Sequence, residues 1–183
     1  MDDAALLDLV ARRRPGHGLP AAFYTAPEIY RRDVDTMILG HWHCVAHVSE
    51  IPEPGDWKEF AIDRESVLVV RGDDGEVRAL LNVCRHRGSR LCTGPSGHAP
   101  GHRLVCPYHG WVFRTDGSLA QARMMPDGFD TSQYGLRTAA VHVVEGLVFV
   151  SLTEPPLGTD GFEAMLHGTV GPLGWADARV AHT

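Results

Sequence analysis

The chain has 183 residues, 44% hydrophobic and 22% charged, as suits one globular domain with appendages and a core of its own. A formal charge of −6 argues against nucleic acid as a partner, and neither a basic amphipathic stretch nor an apolar run of spanning length points to a membrane. The start, Met1-Asp2-Asp3, is acidic where a secretion signal is basic, so the expected compartment is the cytoplasm.

Residues 3–14 have helical spacing, with Leu6, Leu7 and Val10 on one side. Acidic residues lead and Arg12-Arg13-Arg14 close the segment, matching the helix dipole at both ends, and Pro15-Gly16 stops it. A second helix is expected from Thr25, where Thr25 and Glu28 make a capping box with Pro27 in the first turn. Tyr30, Val34, Met37 and Ile38 then give an apolar stripe down to Gly40. From Trp42 the pattern turns to strands, predicted at 42–48, 57–62, 66–71, 76–82, 111–114 and 141–152. Asp73-Asp74-Gly75 and Asp116-Gly117 mark tight turns between them. The fold class is therefore mostly β, an antiparallel sandwich or barrel preceded by a helical arm. Pro155-Pro156 and Gly158 read as a linker, 161–167 as a short helix, and 179–183 as the start of a strand. The implied organisation is 1–41, arm; 42–154, β domain; 155–183, linker and the opening of a further domain.

Two short stretches carry the chemistry, Cys84-Arg85-His86-Arg87-Gly88 and Cys106-Pro107-Tyr108-His109-Gly110-Trp111. Each offers one thiolate and one imidazole and then a glycine, so the pair reads C-x-H, nineteen residues, C-x2-H. A [2Fe–2S] centre with two cysteines on one iron and two histidines on the other requires this inventory. Zinc could take the same four donors as a structural site, but zinc pairs usually group like residues, C-x2–4-C or H-x3–5-H. Buried cysteines with incidental histidines are the other bland reading.

At these residues the sequence resembles the Rieske iron–sulfur family, and within it the large (alpha) subunits of Rieske non-haem iron oxygenases. The stretch Leu19-Pro20 to Phe23-Tyr24-Thr25, the helix after it and His41-Trp42 resemble the N-terminal arm of those subunits, which small Rieske ferredoxins lack. The resemblance implies a Rieske-type β-sandwich in which Cys84, His86, Cys106 and His109 hold one cluster. It also implies a flavin reductase or ferredoxin as electron donor. The implied acceptor is a mononuclear Fe(II) site, on two histidines and a carboxylate, in the neighbouring subunit of a trimer. Only His142, His167 and His182 follow the second motif, and no two are one helical turn apart. The oxygenase iron site is thus expected to be absent, and the chain reads as a truncated piece or as a reading frame ending at the domain border. The arm and the two motifs look closest to oxygenases of quaternary ammonium compounds such as glycine betaine, stachydrine or choline, with aromatic acid hydroxylation as another possibility. The competing functions are a free-standing Rieske ferredoxin-type carrier and a zinc-stabilised interaction module.

Further expectations concern the surroundings. The histidines are expected to bind through one ring nitrogen and turn the other outward. Respiratory Rieske proteins place a hydroxyl two residues after the second histidine ligand. Here Trp111 stands there, which implies few donors to the sulfurs and a potential at the low end, about −150 mV. Tyr108 could compensate as a donor or simply pack. Tyr108 also occupies the position of the cysteine that bridges the loops in respiratory relatives, leaving Cys44 and Cys92 as free thiols, Cys92 in packing. Arg85, Arg87, Arg90 and Arg103 form either a docking collar for an acidic partner or a set of local ion pairs. His41, His43 and His47 beside Cys44 read as strand residues, Met124-Met125-Pro126 as packing, and the glycine-rich 94–101 loop as an outward-bulging connection.

Overall fold

A computed structural model describes residues 2–154 and 156–181. It divides into two compact units, Met1–His41 and Trp42–Thr183.

The first unit is helical. Helix α1 (Asp3–Ala11) is capped by Asp2, whose carboxylate accepts from the Ala5 N–H at 2.8 Å. It ends earlier than the dipole pattern predicts. Arg12 already caps it and pairs back with Asp8, so the arginines lie at and beyond the terminus. Leu9 is its buried residue and Leu6 and Val10 are partly buried, whereas Leu7 is exposed, so the buried stripe is shifted toward Leu9. Short helix α2 (Ala22–Thr25) and α3 (Pro27–Asp33) replace the single capped helix expected from Thr25. Thr25 Oγ1 donates to the Ala21 carbonyl at 3.1 Å, so no capping box forms, and Pro27 opens α3 where its missing N–H costs nothing. The chain continues as a π-helical turn over Val34–Ile38, and Ile29 and Val34 supply the buried face. Arg32 ties α3 to α1 through Asp3 at 2.6 Å.

The second unit is built on antiparallel strands: β1 (His43–His47), β2 (Asp56–Ile62), β3 (Glu65–Arg71), β4 (Val77–Leu81), β5 (Ser96–His98), β6 (Arg103–Val105), β7 (Val112–Arg114), β8 (Leu119–Gln121), β9 (Thr138–Val144) and β10 (Leu147–Ser151). Seven pair in the order β1-β10-β9-β4-β3-β2-β5, and the other three form a small sheet, β6-β7-β8. The mostly β, antiparallel fold is the expected one.

Strand β3 explains the layering. Val67, Leu68, Val69 and Val70 are all fully buried, because alternate residues serve two different cores. Val67 and Val69 pack with Ile51, Val148 and Val150, while Leu68 and Val70 pack with Leu104, Trp111, Phe113 and both motif cysteines. The large sheet is thus a wall with the motif loops and the small sheet on one side.

The predicted strand 141–152 is two strands, β9 and β10, folded at Glu145-Gly146, both with positive φ as a tight hairpin turn needs. The 94–101 connection does not bulge freely. It supplies β5, which pairs with β2, and Gly97 lies so close to the Trp57 ring that a Cβ would sit 2.7 Å from it. Beyond β10, Pro156 to Thr159 are irregular and α4 (Asp160–Thr169) is slightly longer than predicted. Residues 179–181 form no strand; Pro155, His182 and Thr183 lie outside the described residues.

Candidate metal centre

The two motif stretches fold as two copies of one six-residue turn. In the first, the Gly88 N–H reaches the Cys84 carbonyl at 3.0 Å and the Cys84 N–H reaches the Ser89 carbonyl at 2.8 Å. In the second, Gly110 bonds to Cys106 at 3.0 Å and Cys106 to Trp111 at 2.8 Å. Gly88 and Gly110 close the turns with φ of 73° and 67°, a conformation that disfavours any side chain. The repeat differs in one place: the histidine is the third residue of the first turn and the fourth of the second. The second turn joins β6 to β7, and the first leaves β4 through Asn82 and Val83.

The turns bring all four predicted residues together. Cys84 and Cys106 are buried, 2% exposed each, and their thiols lie in contact. The His86 and His109 rings meet edge to face, centroids 4.6 Å apart. Each thiol faces the backbone N–H groups two and three residues on, His86 and Arg87 for Cys84, Tyr108 and His109 for Cys106. Burial raises the Cys84 thiol, with those N–H groups opposing and Cys106 adding to the rise. At Cys106 burial acts in the same sense, but the N–H groups, Cys84 and the Ser89 hydroxyl outweigh it, so its thiol is acidified. Burial, then the neighbouring His86 and Arg87, holds His109 below the ordinary imidazole value. A neutral imidazole and an acidified thiol are the protonation states in which these side chains bind metals.

The site passes a test that does not depend on motif matching. Nδ1 of His86 and Nδ1 of His109 are both buried and have no hydrogen-bond partner within the protein. Buried polar atoms in folded proteins are rarely left so, and two such atoms on touching rings call for a common electrophile. Among the described residues, no three His, Cys, Asp or Glu side chains are placed to hold one ion. Two nitrogens and two sulfurs grouped separately suit a pair of irons better than one tetrahedral zinc. The same finding covers His41, His43 and His47 beside Cys44. His47 instead anchors structure, through Nδ1 to Ser49 and Nε2 to the Trp175 carbonyl at 2.9 Å each.

The supporting shell contains residues that the motif does not reveal. Trp111, 1% exposed, lies flat on His86, with centroids 4.7 Å apart and planes 9° from parallel. Its Nε1 donates to the Arg123 carbonyl, and Phe129 and Tyr134 pack edge-on against it. Asn82, fully buried, donates to Ser66 Oγ at 3.0 Å and to the Cys92 carbonyl at 2.9 Å. Its Oδ1 accepts the N–H groups of Leu91 and Cys92, so one side chain clamps the start of the first loop to its end. Ser66 passes the network to Glu59, and Glu59 to Arg90 at 3.2 Å. Of the four collar arginines, Arg90 and Arg103 are thus engaged locally, Arg103 with Asp73 at 3.6 Å. Tyr108 packs on His109 at 3.8 Å while remaining 60% exposed. Cys92 is in packing and burial pushes its thiol up to about 11, whereas Cys44 is exposed. Met125 packs against the core, but Met124 is almost wholly exposed.

An antiparallel β unit that presents two such loops is a Rieske architecture. The family model for the Rieske [2Fe-2S] domain matches residues 41–140, and the chain belongs to that family. It is 38% identical over 178 residues to the glycine betaine monooxygenase oxygenase subunit of Chromohalobacter salexigens, an alignment covering 97% of this chain and 40% of that protein. The crystal structure of the quaternary ammonium Rieske monooxygenase CntA in complex with L-carnitine matches with a TM-score of 0.75 at 34% identity, over 85% of this chain and 45% of that one. Naphthalene 1,2-dioxygenase from Rhodococcus sp. matches at 0.69 and 33%, over 85% and 34%. The chain therefore spans less than half the length of these oxygenase components, and what it corresponds to is their Rieske portion. Among the described residues, no helix is long and apolar enough to cross a membrane.

Proposed function

We propose that this chain is a single-electron relay in which Cys84 and Cys106 hold one iron of a [2Fe–2S] cluster and Nδ1 of His86 and of His109 hold the other. The observation that carries the reading is the pair of buried, unpartnered Nδ1 atoms on touching rings beside two buried thiols. When bound, a Rieske cluster supplies one-electron transfer. The protein's own part is to hold the His109 imidazole below its ordinary value, to aim four backbone N–H groups at the sulfurs, and to exclude water with Trp111 and its aromatic neighbours.

The relay belongs, on this reading, to an oxygenase alpha subunit of domain plan 1–41, 42–154 and 155–183. A flavin or iron–sulfur reductase, or a ferredoxin, delivers electrons. They pass to a mononuclear non-haem iron site outside this chain, in a trimeric cytoplasmic enzyme. The glycine betaine and carnitine relatives suggest a quaternary ammonium substrate. Arg85 and Arg87, which the local ion pairs leave aside, are the cations available to an acidic redox partner.

Purified protein should carry about two iron and two acid-labile sulfide per chain. After dithionite reduction, its EPR signal should have the low average g of a mixed nitrogen–sulfur cluster. His86→Cys and His109→Cys should move that signal toward the all-cysteine type. Colourless protein with one zinc per chain would refute the assignment.

A further inference from the structure

The connection between the two ligand turns carries a second pair of histidines that the candidate cluster does not use. His98 is the last residue of β5, and His102 ends the 3-10 turn Pro100–His102, immediately before β6. Their rings meet edge to face, with centroids 5.9 Å apart and planes 85° from one another. A carboxylate stands behind each ring. His98 Nδ1 lies 2.8 Å from Asp56 Oδ1, and His102 Nδ1 lies 2.7 Å from Asp73 Oδ1. Both carboxylates are themselves anchored, Asp56 by the Glu53 N–H at 2.9 Å and Asp73 by Arg103 at 3.6 Å. The two rings lean over Gly55, where a Cβ would come within 2.9 Å of His102 Cδ2 and 3.1 Å of His98 Cε1. A side chain at that position would push the rings aside.

We propose that His98 and His102 form a separate site for one late first-row divalent ion, Zn²⁺, Ni²⁺ or Cu²⁺, held through their two Nε2 atoms. An ionised carboxylate can only accept a hydrogen bond, so each Nδ1 carries a proton and the lone pair of the neutral ring is on Nε2. A carboxylate behind a histidine fixes the ring's tautomer and direction and raises its basicity as a metal ligand. Here two histidines four residues apart share that arrangement, with carboxylates drawn from β2 and from the β3–β4 turn. Their side chains are 51% and 41% exposed, so the pair is open to ions in solution. Imidazole donors suit zinc, nickel and copper, whereas Mg²⁺ and Ca²⁺ require oxygen ligands. No third His, Cys, Asp or Glu among the described residues joins the pair, so water completes the coordination. A bound ion would tie the end of β5 to the foot of β6, the strand that leads to Cys106. None of these residues is a cluster ligand, so the site stands or falls independently of that assignment.

The test titrates Zn²⁺ into purified, cluster-loaded protein by calorimetry, with iron content and the visible absorbance of the cluster followed on the same samples. The wild type should bind one Zn²⁺ per chain with its absorbance unchanged, and its Tm should rise with Zn²⁺ but not with Mg²⁺. Asp56→Asn and Asp73→Asn should each weaken binding about tenfold, and His98→Gln and His102→Gln by more. His167→Gln, at the other histidine cluster, should bind as the wild type does. Should a histidine variant fail to fold, Cu²⁺ EPR of the oxidised wild type decides the matter, because two coordinated nitrogens are expected. Unchanged affinity in both histidine variants, or fewer than two nitrogens on copper, would overturn the site. So would Zn²⁺ uptake that proceeds only as the cluster bleaches, or that disappears in His167→Gln.

Discussion

Trp111 lies parallel to His86 at 4.7 Å, although the two residues belong to different loops. The indole is held by its own hydrogen bond to Arg123 and by Phe129 and Tyr134, so the imidazole rests on a fixed plane. Preorganised ligands of this kind depend on what stands behind them. Trp111→Ala should cost about 3–5 kcal/mol from lost burial and the cavity left behind. It should also lower cluster retention on dialysis against a chelator. Trp111→Phe keeps a flat ring and should retain most of both. Chemical denaturation and iron content check the two effects separately, and equal cluster retention in the two variants would contradict the stacking role.

Asn82 is the other residue on which the site depends without contributing a donor to it. Its amide is satisfied by two donated and two accepted hydrogen bonds, those with Ser66 and Leu91 buried and those with Cys92 partly so. Asn82→Ala strands the buried N–H of Leu91 and the partly buried N–H of Cys92, and unpaired buried donors cost about 1–3 kcal/mol each. A loss of roughly 3 kcal/mol or more is expected in urea unfolding. Asn82→Asp can still accept from both N–H groups but no longer donates to Ser66 or Cys92, so its loss should be intermediate when ranked against Ala. A surface-like loss below about 0.5 kcal/mol for Asn82→Ala would refute the clamp.

The chemistry was more legible than the scaffold that positions it. Four side chains of two types at fixed spacing suffice to pick out the loops, because the donor set of a mixed cluster is unusual. Strands β2, β3 and β4 could be located since their apolar content runs over five to seven residues. Strands β5, β6 and β8 could not, as Ser-Gly-His, Arg-Leu-Val and Leu-Ala-Gln are too short to carry a period. The β9–β10 turn was hidden because Glu145 is not a residue that usually accepts positive φ. The role of Asn82 depends on which backbone returns to it, and one-dimensional spacing does not contain that. In the N-terminal unit the Thr25/Glu28 pattern misled for a related reason: the Thr25 hydroxyl turned back to Ala21 instead of capping forward.

The four cysteines should separate by reactivity. Cys44 is exposed, Cys92 is half-buried with its thiol pushed up to about 11, and Cys84 and Cys106 are buried at the site. Thiolate, the reactive form, is scarce at Cys92 near neutral pH, and access is poor as well. Brief iodoacetamide treatment of native, cluster-loaded protein at pH 8 should therefore alkylate Cys44 first, with Cys92 slower by an order of magnitude or more. Stripping iron with a chelator should expose Cys106 to reaction ahead of Cys84, since only the former is acidified. Peptide mass spectrometry reads all four positions, and early labelling of Cys92 would contradict the packing described.

Helix α4 is fastened by a charge relay whose pH dependence has a definite sign. His167 Nδ1 lies 2.5 Å from Glu145 and its Nε2 lies 3.6 Å from Glu163, while Glu163 also pairs with His142 at 3.2 Å. The hydrogen bond to Glu145 is the chief reason that His167 holds its proton more tightly in the fold, although partial burial opposes it. A group whose folded value is raised binds more protons folded than unfolded, so its contribution is complete below the unfolded value of about 6.5. That contribution fades as pH rises through the higher folded value. His167→Gln should accordingly lower Tm most near pH 6, and the gap to the wild type should narrow steadily above about pH 7. His142 pairs with the same Glu163, so His142→Gln is the control that isolates His167. A gap that widened with rising pH would mean that the neutral imidazole, rather than the imidazolium, fastens the helix.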